Sequence, residues 1–128
     1  MLKILIISVD QNLKSFSERN FNNPDFQIIT YCSTTDPLDI MSQVCSTNPS
    51  ILVLDDDFIN PNTVHLLTSI KKVNPKLSII FITSNTSIEL GRQIHSIGVK
   101  FYLMKPYTDN EFTEFLNSII KEQAKIIY

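Results

Sequence analysis

Five apolar runs of strand length recur along the chain, and each is followed by a segment of helix length with one apolar stripe. This alternation constrains the fold more than any other feature. The runs are 2–9, 26–32, 51–54, 77–83 and 100–104, rich in Ile, Val, Phe and Tyr. They are too apolar for a sheet that is wet on one face. Strands of this kind are buried on both faces, as in parallel sheets. Parallel strands need right-handed crossovers, which place helices on both faces of the sheet.

The intervening segments carry helix punctuation. Asp36-Pro37 puts a cap residue before proline at the first helical position and opens a helix to about Thr47. Asn62 caps a helix through Val73 with Leu66, Leu67, Ile70 and Val73 on one stripe. Thr86-Ser87-Ile88-Glu89 reads as a capping box, with Gly98 as the stop after Ile97. Thr108-Asp109-Asn110-Glu111 is a second capping box. It opens the clearest helix, where Phe112, Phe115, Leu116, Ile119 and Ile120 follow the i, i+3, i+4, i+7, i+8 pattern. The first helix, about 12–20, is the weakest, marked only by Leu13 and Phe16. The result is five βα units in a single domain spanning 1–128, without a linker, repeat or low-complexity tract.

Composition narrows the function classes. Eleven Lys and Arg against 13 Asp and Glu leave a net charge of −2, which gives no support to nucleic-acid or anionic-membrane binding. The only glycines are Gly91 and Gly98, so the glycine-rich phosphate loops of Walker and Rossmann type are excluded. Cys32 and Cys45 have no second pair and are expected to be reduced, half-buried thiols. Neither a membrane-length apolar run nor a signal peptide is present, so a cytoplasmic location is the expectation. His65 and His95 have no metal-spaced partner and read as surface or packing residues.

In an open parallel sheet, ligands bind outside the carboxyl ends of the strands. Those ends here carry Ser8-Val9-Asp10, Asp55-Asp56-Asp57, Thr83-Ser84 and Lys105-Pro106. A carboxylate, a hydroxyl and an ammonium thus converge on one edge. That set suits phosphoryl transfer to a carboxylate, with Asp55 as nucleophile, Lys105 as countercharge and Thr83 as donor to a phosphoryl oxygen.

At these residues the chain resembles the receiver (CheY-like) domain of two-component response regulators, over about 2–121. Ile51-Leu52-Val53-Leu54-Asp55 is similar to the family's third strand with its phosphoacceptor aspartate. Ile79-Ile80-Phe81-Ile82-Thr83-Ser84 is similar to its fourth strand, and Gly98 through Tyr107 to its most specific stretch, with a switch aromatic at Tyr102 and the lysine at Lys105. The resemblance implies a flavodoxin-like αβα sandwich with a five-stranded parallel sheet of order 2-1-3-4-5 and five helices. It implies a cis peptide between Lys105 and Pro106, Thr83 and Tyr102 as the switch pair, and no enzymatic activity. It also implies a histidine kinase or phosphotransfer protein as phosphoryl donor. A downstream protein or a second copy would meet the face formed by the fourth helix, fifth strand and fifth helix. No output domain is expected in 1–128.

Two positions depart from the family. Its acidic pair at the end of the first strand, which holds Mg²⁺, is Ser8-Val9 here, and its loop glycine after the acceptor is Thr63. Neutral Ser and apolar Val cannot stand in for two carboxylates. A Mg²⁺ site is therefore expected to be weakened or lost, with Asp10, Asp55 and Asp57 as the carboxylates that remain for it. Three functions follow: a phosphoacceptor receiver, a degenerate receiver that binds proteins without phosphorylation, and, more distantly, a small Mg²⁺-dependent phosphatase suggested by the D-x-D spacing of Asp55 and Asp57. A flavodoxin would share the sheet, but Ser8-Val9-Asp10-Gln11-Asn12 lacks the glycine-rich phosphate loop it requires.

Overall fold

All five residues of the third strand are buried, which requires cover on both faces of the sheet. In the computed structural model, which describes residues 2–21 and 24–127, that cover is supplied by helices. The strands are β1 (Leu2–Ile7), β2 (Phe26–Tyr31), β3 (Ile51–Asp55), β4 (Ser78–Thr83) and β5 (Phe101–Met104). The main helices are α1 (Gln11–Asn20), α2 (Pro37–Thr47), α3 (Thr63–Val73), α4 (Ile88–Ile97) and α5 (Asp109–Ile127). The five strands run parallel in the order β2-β1-β3-β4-β5. The expected α/β sandwich is observed. One element was not anticipated: a single helical turn, Asp56–Ile59, directly after β3.

Strand alternation sorts the core into two layers. Leu5, Ile7, Leu52, Leu54, Ile79 and Phe81 pack with α2, α3 and α4 through Ile40, Val44, Leu66, Leu67, Ile70 and Ile94. The alternate residues, Ile4, Ile6, Ile51, Val53, Ile80 and Ile82, pack with α1 and α5 through Leu13, Phe112, Leu116 and Ile119. Successive strand residues point to opposite faces, so the parity of a residue assigns its layer. This parity continues past the strand ends and decides where the polar residues go.

The helix ends hold several surprises. Asp10 caps α1, its Oδ1 accepting from the N–H groups of Asn12 (2.9 Å) and Leu13 (3.3 Å). Asp36 caps α2 ahead of Pro37, as expected. Asn62 precedes α3 without a side-chain cap bond. The cap of α4 is Ser87, whose Oγ accepts from Leu90 N–H at 3.2 Å; the box expected to open on Thr86 is not made, because Leu90 then stands where the box needs Glu or Gln. Gly98 ends α4 in the left-handed region at φ 97°, as its position predicted. The Thr108 box at α5 forms in full, with Thr108 Oγ1 accepting from Glu111 N–H at 3.1 Å. Cys32 and Cys45 are exposed rather than half-buried, because the edge strand β2 and the outer side of α2 leave them at the surface. The Lys105–Pro106 peptide is cis, and so is Asn60–Pro61.

Candidate functional site

The sheet register brings the strand ends together. Asp55 lies opposite Ile82, and Thr83 opposite Met104. Beyond those pairs, the three consecutive aspartates separate into three environments.

Asp55 has the parity of Ile51 and Val53 and faces the α1/α5 side. Ser8, with the parity of Ile4 and Ile6, and Lys105, with that of Leu103, project to the same side. Ser8 Oγ donates to Asp55 Oδ2 at 2.7 Å. Lys105 Nζ donates to Asp55 Oδ1 and Oδ2 at 3.0 and 3.1 Å. The N–H of Asp57 donates to Oδ1 at 3.1 Å. The Asp55 residue is 2% exposed, and both of its carboxylate oxygens are occupied by protein donors.

Asp56 has the opposite parity. It is 3% exposed and lies on the α3/α4 side. Its Oδ1 accepts from Thr63 Oγ1 at 2.6 Å and its Oδ2 from Thr83 Oγ1 at 2.7 Å. Thr83 shares the parity of Phe81, so its hydroxyl meets Asp56 and not Asp55. Thr83 Oγ1 in turn accepts from Asn85 N–H at 3.0 Å. The residue expected to donate toward a group on Asp55 is therefore engaged elsewhere.

Asp57 sits at the rim. Its Oδ1 accepts from the hydroxyl and the N–H of Ser84 at 2.9 and 3.3 Å, and its Oδ2 lies 3.1 Å from Lys105 Nζ. Partial burial works against the Asp57 carboxylate, but the Ser84 and Lys105 hydrogen bonds outweigh it and hold its pKa below the usual range. For Lys105 the balance is the mirror image. Burial disfavours the ammonium, and Asp55 followed by Asp57 more than restore it, so its pKa is raised. One lysine thus serves two carboxylates.

Tyr102 projects to the α3/α4 side, half-buried, with its ring on Phe81 (centroids 5.2 Å apart) and stacked against His95 (5.7 Å). Burial and then the nearby Asp56 charge raise the pKa of its phenol. His95 is a packing partner of Tyr102, and His65 is exposed on α3. Tyr107, beside Pro106, is held protonated by burial and by Asp10, Asp55 and Asp109. It lines a cleft of about 500 Å³ with Asp10, Leu13, Phe16, Lys105 and Phe112.

The donor set does not match a Mg²⁺ site of the expected kind. Ser8 spends its proton on Asp55, Val9 is 57% exposed and offers no side-chain donor, and the Asp10 carboxylate is turned into the cap of α1. Asp55 and Asp57, the remaining carboxylates, are bridged by Lys105. Among the described residues no group of three or more His, Cys, Asp and Glu is placed to hold a metal ion. Sequence reasoning expected Asp55, Thr83 and Lys105 to converge, and of the two partners only Lys105 meets Asp55. It missed Asp56 and Thr63, although strand parity was the signal that places Asp56 opposite Thr83.

A five-stranded α/β sheet with a lysine-paired aspartate at the end of its central strand defines the receiver class of signalling domain. The sequence model of the response regulator receiver domain matches residues 4–117. The chain belongs to that family, the receiver domains of two-component signalling, which are not classical enzymes and interact with histidine kinases. Solved structures share the fold. The non-phosphorylated HemR receiver domain from Leptospira biflexa superposes with a TM-score of 0.79 at 18% identity, with 94% of each chain covered. A CheY-like receiver domain protein from Methanospirillum hungatei gives 0.78 at 21% identity, covering 98% of each. The beryllofluoride-activated DrrB receiver domain gives 0.76 at 16% identity, covering 94% of this chain and 98% of that one. No curated relative matches the chain. No helix among the described residues is long and apolar enough to cross a membrane.

Proposed function

We propose that this receiver domain signals as a protein-interaction module without phosphorylation, and that Asp55 serves as a fixed ion-pair and hydrogen-bond partner. The observation that carries this reading is the saturation of Asp55 by Ser8, Lys105 and the Asp57 N–H at 2% exposure. A phosphoryl group there would bring a charge of about −1.5 to −2 at neutral pH, by analogy with other phosphorylated side chains. Lys105 is the cation facing it, and that lysine already balances Asp55 and Asp57. Metal bridging, which ordinarily offsets such charge, lacks the strand-one carboxylates.

The interaction face is that of α4, β5 and α5. It carries the Tyr102–His95 stack, the half-buried Phe101–Phe115 stack at 4.3 Å, and Ile88 exposed at the start of α4. The occupants are a kinase or phosphotransfer protein of the pathway, a downstream protein or a second copy. A second reading, phosphorylation of Asp55 itself, is favoured by one observation: Lys105 Nζ approaches both Asp55 oxygens within 3.1 Å.

Beryllofluoride or acetyl phosphate with Mg²⁺ separates the two readings. The expected result is an amide NMR spectrum that does not change at Asp55, Thr83, Tyr102 or α4. A change that Asp55→Asn abolishes would establish the second reading and end the first.

A further inference from the structure

The Thr63–Asp56–Thr83 bridge lies outside the chemistry above, and it engages a residue the family uses as a switch. We infer that Asp56 is a positioning residue, a built-in carboxylate that holds the Thr83 hydroxyl in one arrangement whether or not Asp55 carries any ligand. The inference deepens the phosphorylation-independent reading and rests on it for its role in signalling.

Three observations support it. First, the bridge spans three elements: Thr63 begins α3, Asp56 follows β3 and Thr83 ends β4. Its two hydrogen bonds are short, 2.6 and 2.7 Å, and all three residues are buried. A glycine at position 63 would supply no hydroxyl, so one departure from the family pattern provides half of the bridge. Second, the Thr83 hydroxyl has no proton to spare. It gives its proton to Asp56 and takes one from Asn85 N–H. Turning it toward Asp55 would strip a donor from a buried carboxylate, which is disfavoured on the order of 10- to 100-fold. Third, Asp56 lies near the outer face. Its charge acts on the Tyr102 phenol, and Tyr102 packs between Phe81 and His95 of α4.

The test is made on the full chain by NMR. In the unmodified protein, the couplings that report the Thr83 side-chain torsion should show a single rotamer, and the Thr83 hydroxyl proton should exchange slowly. Asp56→Ala should average that rotamer. It should also shift the Asn85 amide and the Tyr102 and His95 rings, and lower the midpoint at which Tyr102 titrates. β2, at the far edge of the sheet, should stay unchanged. Thr63→Val should reproduce part of the effect, and Thr63→Ser, which restores the hydroxyl, should not. A mere packing role for Asp56 would leave the Thr83 rotamer and the Asn85 amide where they are.

Averaged Thr83 couplings in the unmodified protein overturn the inference, and that measurement stands even if Asp56→Ala fails to fold. Unshifted Thr83 and Tyr102 signals in a folded Asp56→Ala protein overturn it as well. The beryllofluoride experiment keeps its failure separate from that of the functional reading. A mobile Thr83 with no beryllofluoride response removes only the inference. A beryllofluoride response with Thr83 still on Asp56 removes only the reading.

Discussion

Returning an acid to the end of β1 should damage this protein, and the size of the damage follows from the geometry. Ser8 is 8% exposed, and its Oγ lies 2.7 Å from Asp55 Oδ2. In Ser8→Asp a second carboxylate faces Asp55 at hydrogen-bond range. Two like charges about 4 Å apart repel by about 4 kcal/mol at an effective dielectric near 20. Lys105 offsets part of this. Protonation of the new carboxyl sets a ceiling: holding it neutral at pH 7 from a reference pKa near 3.9 costs about 4 kcal/mol. A loss of about 3–4 kcal/mol is therefore expected, a large share of the ~5–15 kcal/mol of a typical domain. The sign with pH is fixed. The introduced group has a folded pKa raised above its unfolded value, so the folded state binds more protons. The penalty is absent below the unfolded pKa and grows as pH rises, by about 1.4 kcal/mol per unit, until the folded pKa is passed. Urea unfolding followed by circular dichroism at pH 5, 6 and 7 in EDTA measures this directly. Ser8→Ala is the control, because it loses the hydrogen bond without adding charge. Millimolar Mg²⁺ should then restore Ser8→Asp and leave the parent unchanged, since only the variant places two carboxylates side by side. A penalty that does not change with pH, or a Ser8→Asp protein as stable as Ser8→Ala at pH 7, would refute the electrostatic account of this site.

Other expectations are simpler. Lys105→Met leaves buried Asp55 without its ammonium and should cost about 2–3 kcal/mol, below the value for a fully buried pair because Lys105 is a quarter exposed. The raised Lys105 pKa makes its contribution complete below the ordinary lysine pKa and lost as pH rises through the folded value; the lowered Asp57 pKa makes that residue's contribution disappear only in acid, as pH falls through its folded value. Both are read from urea midpoints across the pH range. Gly98→Ala places a Cβ at φ 97° and should lower stability by about 1–2 kcal/mol in thermal unfolding. Thr108→Ala removes the cap of α5 and should cost about 1 kcal/mol. Both cysteines should react with a thiol reagent at unfolded-like rates in the native protein, which the expectation of half-buried thiols would not allow.

Most of the fold was legible because its signals are local and repeated. The apolar runs and helix caps mark β1 to β5, α1 to α4 and the start of α5 to within a residue or two; α5 itself runs on to Ile127, past the last stripe residue Ile120. The failures have physical reasons. The strand expected to run to Val9 stops at Ile7, because Ser8 turns its hydroxyl to Asp55 and the Asp10 N–H donates to Ser8 Oγ at 3.0 Å. The helical turn Asp56–Ile59 carries no apolar periodicity to announce it. It is capped by a single bond from the Asp57 N–H to the Asp55 carboxylate, and four residues are too few to show a stripe. The box at Thr86 was lost because Thr86 and Ser87 are both competent caps, and only the course of the loop after β4 selects between them.

The aspartate triplet was the hardest feature to read, and its division follows from one rule. Residues 51, 53 and 55 share a face of the sheet, and 52, 54 and 56 share the other. Lys105 follows Leu103 to the first face, and Thr83 follows Phe81 to the second. An ammonium therefore meets Asp55, and a hydroxyl meets Asp56, before any specific contact is considered. The two partners differ in kind. An ammonium neutralises a carboxylate, whereas hydroxyls only solvate it, so Asp56 needs more than one of them; Thr63 supplies the second. Replacing Thr63 by glycine, the residue typical of the family, should thus leave Asp56 buried with one donor. The expected outcome is a loss of about 1.5–3 kcal/mol, the range for a hydrogen bond to a charged group, plus the smaller cost of glycine at the first turn of α3. Thr63→Ser should restore nearly all of it. A Thr63→Gly protein as stable as the parent would show that Asp56 does not depend on its two hydroxyls.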